Sequence, residues 1–130
     1  MRYGRSKYGN HKVTTSDGIT HDSKKEANRW CELKLLERSG KITDLQRQVP
    51  FELIPAQYEE YERYSKTGKR LKNGKRCVEK SCVYIADFVY REDGKKIVED
   101  VKSSATNKKE SYIMKRKLML WVFGIQIRET

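Results

Sequence analysis

The sequence contains no long apolar run. LMLWVF, at 118–123, is the longest, far short of the roughly 20 residues that cross a bilayer. The opening segment MRYGRSKYGN has no apolar signal core either, so a cytoplasmic protein without membrane contact is expected. Cysteine is scarce: Cys31, Cys77 and Cys82 are odd in number and form no paired Cys-x-x-Cys framework, which argues against a disulfide scaffold and a structural zinc site. His11 and His21 are too scattered to complete such a site, and these five residues read as ordinary ones. Acidic residues are the scarcer charge. Against 29 Lys+Arg stand 18 Asp+Glu, leaving +11, and the excess is clustered, which points to a polyanionic partner, nucleic acid before membrane.

What remains is enough for one domain over residues 1–130. Hydrophobic residues make up 36% of the chain and gather into FELI, VYIADFV and LMLWVFGI, so the low mean hydropathy reflects charge density and not disorder. Residues 1–11 read as a flexible basic arm, and KVTTSDGITHD as a hairpin turning at Asp17-Gly18. Ser23 caps a helix that runs to about Ser39, with Ala27, Trp30, Leu33 and Leu36 at helical spacing and Gly40 as its stop. ITDLQRQVPFELI predicts a strand with Leu45, Val49, Phe51 and Leu53 on one face, made irregular or placed at an edge by Pro50.

From Pro55 to Cys82 the pattern weakens into a basic insertion or long arm, with turns marked by Gly68 and Gly74 and a short helical stripe of Tyr58, Tyr61 and Tyr64. Lys66, Lys69, Arg70, Lys72, Lys75, Arg76 and Lys80 lie there against one Glu79, a composition suited to phosphate contact beside aromatics. Two strands follow, YIADFVY and KIVEDVK, then a loop, SSATNKKE. A second helix is predicted over about Ser111–Phe123, with Met114, Leu118, Trp121 and Val122 inward, Lys115, Arg116 and Lys117 bunched in its middle and Gly124 at its end. GIQIRE alternates as a last strand. The order is helix, three strands, helix, strand, preceded by a small hairpin.

With Asp93-Gly94 as the centre of a type I′ turn, Asp87 falls opposite Asp100, and their Cβ atoms should lie roughly 5 Å apart. Two like charges there repel unless a cation intervenes. Val98, Asp100 and Lys102 point to that face, whereas Ile97, Glu99 and Val101 point away, which makes Glu99 a salt-bridge partner or helix contact. Mg²⁺ prefers oxygen ligands and keeps several waters, so two aspartates and a substrate phosphate make a sufficient site. Lys102 would position or deprotonate an attacking water, or offset developing charge; the sequence does not separate these roles. Glu26 is the candidate third carboxylate. Ser23-Lys-Lys-Glu26 also fits a capping box, although Glu26 lies between Trp30 and Leu33 near the centre of the helix's inward face.

These residues resemble the PD-(D/E)XK nuclease superfamily, whose core is helix, three strands, helix, strand. The resemblance rests on Asp87 in the second core strand, the Asp100-Val101-Lys102 triplet in the third and Glu26 in the first helix. DSKKEANR, LQRQVPFEL, YIADFVY, VEDVK and YIMKRKLM are similar to a family of small phage-borne, endonuclease-like proteins of that superfamily, over about Lys12–Ile127. Ala86 stands where the superfamily's name has proline, and Ser103-Ser104 follows Lys102 where the closer family would have glycine.

The resemblance implies an α/β, restriction-endonuclease-like fold with a central mixed sheet, plus the N-terminal hairpin and the basic insertion at 55–82. It implies a Mg²⁺-dependent DNA endonuclease, with Mn²⁺ as substitute ion and no small-molecule cofactor. Asp87, Asp100 and Glu26 would be metal ligands and Lys102 the catalytic lysine. Lys115 would be the basic residue that such relatives turn from the second helix toward the site, or else a plain phosphate contact, and with Arg116 and the arm it would complete the DNA surface. By analogy with small phage resolvases, the expected activity is Holliday junction resolution by a homodimer in the host cytoplasm, in phage recombination or replication. The alternatives are a nicking or flap-type nuclease with the same site, a noncatalytic nucleic-acid-binding module, and an accessory subunit of a replication or packaging complex.

Overall fold

The computed structural model describes residues 11–103 and 109–130; the expected basic arm, apart from His11, and residues 104–108 of the expected loop lie outside the described residues. The chain divides into two compact units, Met1–Val49 with Ile85–Thr130, and Pro50–Tyr84. The architecture is α/β.

In the first unit, β1 (Val13–Thr14) and β2 (Thr20–His21) form the expected hairpin. The Asp17 carboxylate organises its turn. It accepts hydrogen bonds from Thr15 Oγ1 at 2.5 Å, Trp30 Nε1 at 2.7 Å and the Ile19 N–H at 3.1 Å, and these hold its pKa at about 2. Helix α1 (Lys24–Arg38) begins at Ser23, whose hydroxyl accepts from the Glu26 N–H at 3.1 Å, as an N-cap should. Its apolar stripe enters the core, with Trp30 and Leu33 packed against Ile42, Phe88 and Tyr90, and Leu36 half-buried beside them. The Trp30 and Phe88 rings stack at 6.0 Å.

Strands β3 (Ile42–Ile54), β6 (Cys82–Glu92), β7 (Lys95–Asp100) and β8 (Arg128–Glu129) form a four-stranded sheet in the order β3-β6-β7-β8. The sheet is mixed, since β6 and β7 are antiparallel and β7 and β8 parallel. β3 lies at an edge, as Pro50 requires, and is bent by left-handed backbone at Asp44 (φ 55°) and Gln48 (φ 52°). The β6–β7 turn has positive φ at both central residues, Asp93 (50°) and Gly94 (76°), the signature of type I′. Helix α2 (Glu110–Phe123) crosses over to β8 and ends at Gly124.

The rotation of α2 differs from expectation. Tyr112 and Met119 are buried, whereas Met114 (61% exposed), Trp121 (87%) and Val122 face outward and Leu118 is half-buried. The helix is apolar on more than one stripe, so spacing alone does not choose between them. Tyr112 chooses: its hydroxyl donates to Glu129 Oε1 at 2.8 Å and its ring lies 4.4 Å from the Lys102 ammonium. Among the described residues, no helix is long and apolar enough to cross a membrane.

The second unit is a β-hairpin arm, β4 (Gln57–Tyr64) and β5 (Arg70–Glu79). The expected helical stripe is absent, because Tyr58, Tyr61 and Tyr64 belong to β4, whose side chains alternate across the ribbon. Gly68 lies in the turn as expected, but Gly74 does not mark one. It lies within β5 opposite Tyr61, where any Cβ would collide with the Tyr61 ring. Behind the arm, Phe51 stacks with Tyr84 at 6.4 Å within the same unit.

Glu99, on the β7 face away from Asp100, is fully buried, and its carboxylate is gripped by Arg29. Nε donates to Oε2 at 2.7 Å and Nη2 to Oε1 at 2.8 Å, while the Tyr90 hydroxyl donates to Oε1 at 2.7 Å. This joins α1 to the middle of the sheet. Removing the acid would leave Tyr90 and the Nε and Nη2 of Arg29 without this acceptor, with only Glu32 left to Arg29, and breaking a buried ion pair from one side costs about 3–5 kcal/mol. Glu99→Ala should therefore lower the unfolding free energy by about that much in urea titration. A loss below about 1 kcal/mol would show that the pair is not a keystone of the first unit.

Candidate active site

The register of the β6–β7 hairpin builds the site. Pairing runs from Glu92↔Lys95 to Phe88↔Glu99 without a slip, so the next position sets Asp87 against Asp100. Asp87 Oδ2 accepts from the Val101 N–H at 2.9 Å. Strand β8 pins the other side of this segment, with the Thr130 N–H donating to the Asp100 carbonyl and the Lys102 N–H donating to the Thr130 carbonyl, both at 3.0 Å. Asp100 is 2% exposed, while Asp87 is half-buried at the open side of the sheet, next to the exposed Ile85.

Lys102 belongs to the same cluster. Its Nζ lies 2.8 Å from Asp100 Oδ2 and packs over Tyr112, and its carbonyl accepts from Lys25 Nζ at 2.8 Å. Glu26 arrives from the first turn of α1 and is 5% exposed. It is more than a cap. Its Oε1 accepts from Gln48 Nε2 at 3.3 Å and lies 3.7 Å from His21 Nδ1. The same Gln48 amide reaches Asp87 Oδ1 at 3.4 Å, so one side chain bridges the carboxylates of α1 and β6. All four expected residues, Glu26, Asp87, Asp100 and Lys102, therefore lie in one neighbourhood, and Glu99 stands on the far face of β7.

Sequence reading overlooked Gln48, His21, Lys25 and Tyr112. The signal at Gln48 was a polar residue beside Pro50 in a strand already expected to be irregular; its left-handed φ is what turns the amide toward the carboxylates. His21 gave none, being a lone histidine whose burial depends on the hairpin folding onto Trp30 at 6.0 Å. Lys115 is half-buried on the side of α2 that carries Tyr112 and Met119. Arg116, expected on the DNA surface, lies 3.4 Å from Glu129. The arm residues Lys66, Lys69, Arg70, Lys72, Lys75 and Arg76 are all exposed, in the other unit.

The electrostatics are those of crowded acids. Burial, a hydrogen bond with Asp100 and the charges of Asp100 and Glu26 push the Asp87 carboxyl up to about 8. Burial also raises Glu26, with the negative charges of Asp22 and Asp100 adding to the effect and Arg47 opposing it. His21 is no counter-ion, since burial and the nearby Arg47 lower its pKa and favour the neutral ring. Asp100 Oδ2 is buried without an aligned hydrogen-bond donor despite the Lys102 ammonium beside it.

Carboxylate oxygens in this number, one of them lacking an aligned donor, suit a hard divalent cation better than a soft one. Among the described residues, no three His, Cys, Asp or Glu side chains already close into a coordination shell. The Gln48 amide stands between Glu26 and Asp87, and the Lys102 ammonium stands on Asp100.

A family model described as "Protein of unknown function (DUF1064)" matches residues 5–128, and the chain belongs to that family. No curated protein and no solved structure matches it.

An Asp87 carboxyl raised from 3.8 to about 8 binds its proton more tightly in the folded chain than in the unfolded one. Its contribution to stability is complete below about pH 4 and is lost as pH rises through about 8; Glu26, also raised, acts in the same direction. In EDTA, Tm should therefore fall between about pH 5 and 8, and Asp87→Asn should flatten that fall. A parental slope retained by Asp87→Asn would show that Asp87 is not the group responsible.

Proposed function

We propose that this member of the DUF1064 family is a divalent-cation-dependent DNA endonuclease of the PD-(D/E)XK type, with a restriction-endonuclease-like core. Its favoured substrate is branched DNA, cut by a homodimer in the manner of a Holliday junction resolvase. Mg²⁺ is the natural ion and Mn²⁺ a substitute. One observation carries the reading: three carboxylates from α1, β6 and β7 converge beside a lysine in a chain whose net charge is +11. A surface that only bound nucleic acid would gain nothing from acids that repel phosphate. The element order α1, β3, β6, β7, α2, β8 and the mixed sheet favour the same superfamily.

Asp87, Asp100 and Glu26 would hold the ion. When bound, it supplies Lewis-acid polarisation of the phosphodiester and a lowered pKa for an attacking water. The protein's own groups do the rest. Lys102, held between Asp100 and the Tyr112 ring, has an ammonium placed to donate to a phosphate oxygen and offset the charge that grows there. Gln48 orients Glu26 and Asp87 from a rigid strand position, and Lys25 anchors the backbone of Lys102. The exposed cations of the arm, with the half-buried Lys115 and Arg116 of α2, would hold the DNA backbone without choosing its sequence.

The test is cleavage of a synthetic four-way junction, a flap, a nicked duplex, an intact duplex and a single strand, in Mg²⁺ or EDTA. Symmetric, metal-dependent cutting of the junction is expected; cutting of flaps or duplex instead would keep the site and change the substrate. Asp100→Asn and Asp87→Ala should abolish cleavage with DNA affinity kept or improved, and Lys102→Ala should slow it by about 10²–10³-fold. Tight binding with no cutting of any substrate would replace this reading with a noncatalytic binding module.

A further inference from the structure

The arm's basic residues do not form one surface. Along β4 stand three acids, Glu59, Glu60 and Glu62, and the cross-strand register places two of them against cations of β5: Glu59 opposite Arg76 and Glu60 opposite Lys75. Arg76 Nε lies 2.9 Å from Glu59 Oε1, and its guanidinium stacks on the Tyr61 ring at 4.6 Å. Tyr61 in turn lies over Gly74. This shaft is therefore neutralised and packed by its own side chains.

The tip is different. Between Glu62 and Glu79 there is no acidic residue, and Arg63, Lys66, Lys69, Arg70 and Lys72 surround the turn. Among the described residues none of these five pairs with a carboxylate, and Arg70 reaches only the neutral Asn73 Oδ1 at 3.3 Å. The turn itself is built. The Lys69 N–H donates to Ser65 Oγ at 3.0 Å, the Ser65 N–H to the Lys69 carbonyl at 2.8 Å and the Gly68 N–H to the Ser65 carbonyl at 2.9 Å, and the Ser65 and Thr67 hydroxyls meet at 2.9 Å. A polyanion would meet a turn whose backbone is already ordered, with less of the chain left to order on binding.

We infer that the tip of this hairpin is a phosphate-backbone clamp for nucleic acid, formed by Arg63, Lys66, Lys69, Arg70 and Lys72, while Lys75 and Arg76 serve to build the shaft. The choice of DNA as the polyanion rests on the nuclease reading; the division of the arm into tip and shaft does not. Contact through cations alone is sequence-independent and steeply dependent on salt.

The test is binding of the full chain to fluorescein-labelled duplex DNA, in EDTA to prevent cleavage, across a salt series. Each phosphate contact contributes about 0.9 to the slope of log affinity against log salt. The variant with Lys66, Lys69, Arg70 and Lys72 all changed to Gln should lower that slope by about 3–4. The pair Glu60→Gln with Lys75→Gln, which leaves net charge unchanged, should not alter it. Lys66→Arg, Lys69→Arg and Lys72→Arg together should keep the parental slope, which separates lost charge from a collapsed tip. A parental slope in the glutamine variant, a slope lowered by about 1 in the shaft pair, or a slope lost in the arginine variant would each overturn the inference. So would binding to phosphatidylserine vesicles with none to DNA. Cleavage takes no part in the readout, so an inactive active site leaves this result intact, and a tip without DNA contact leaves the nuclease assay intact.

Discussion

The meeting of Asp87, Asp100 and Lys102 on one face depends on the register of the β6–β7 hairpin. Side chains on a strand alternate between faces, so a slip of one residue would turn Asp100 toward Arg29 and Glu99 toward Asp87, exchanging the two environments. The type I′ turn at Asp93-Gly94 prevents this from one end, since both its residues must adopt positive φ. From the other end, the Asp100 carbonyl and the Lys102 N–H are held by Thr130. The 100–102 segment, in which the backbone leaves β7 carrying two charged side chains, is thus fixed on both sides.

The two adjacent acids of β7 make an instructive pair. Glu99 is buried and fully answered, with two donors from Arg29 and one from Tyr90. Asp100 is buried and only partly answered, having one ammonium, a second acid opposite it and an oxygen without an aligned donor. The difference lies in the surroundings: Glu99 meets only donors, whereas Asp100 shares its one ammonium with a face that also carries Asp87. Groups left short of partners in a low-dielectric setting are costly, and such cost concentrates where chemistry or ligand binding offsets it.

A similar contrast runs through the arm. Its shaft joins each strand to the other by charge and by the Tyr61–Gly74 contact, whereas its tip gathers cations with no acid among them. On α2, Tyr112 turns one side of the helix inward through Lys102 and Glu129 and leaves Trp121 and Met114 in solvent.

Local chemistry determined much of this. The Ser23 cap, the Asp17-Gly18 and Asp93-Gly94 turns, the edge position of the strand that carries Pro50 and the placing of Asp87 against Asp100 all follow from rules that act within a few residues or across one hairpin, and they are legible in the sequence. So was the separation of Glu99 from Asp100, because alternation along a strand is fixed. What sequence left undecided were choices between equally plausible partners. Three tyrosines at spacing three fit a helix until β5 offered them a cross-strand neighbour and Gly74 left room for the Tyr61 ring. Two apolar stripes of α2 competed for the core, and the winner was set by Tyr112 meeting Lys102 and Glu129, residues distant in the chain. The amide of Gln48 and the burial of His21 belong to the same class. Periodicity names the candidates for a buried face, but only the packed tertiary structure decides which of them finds a partner.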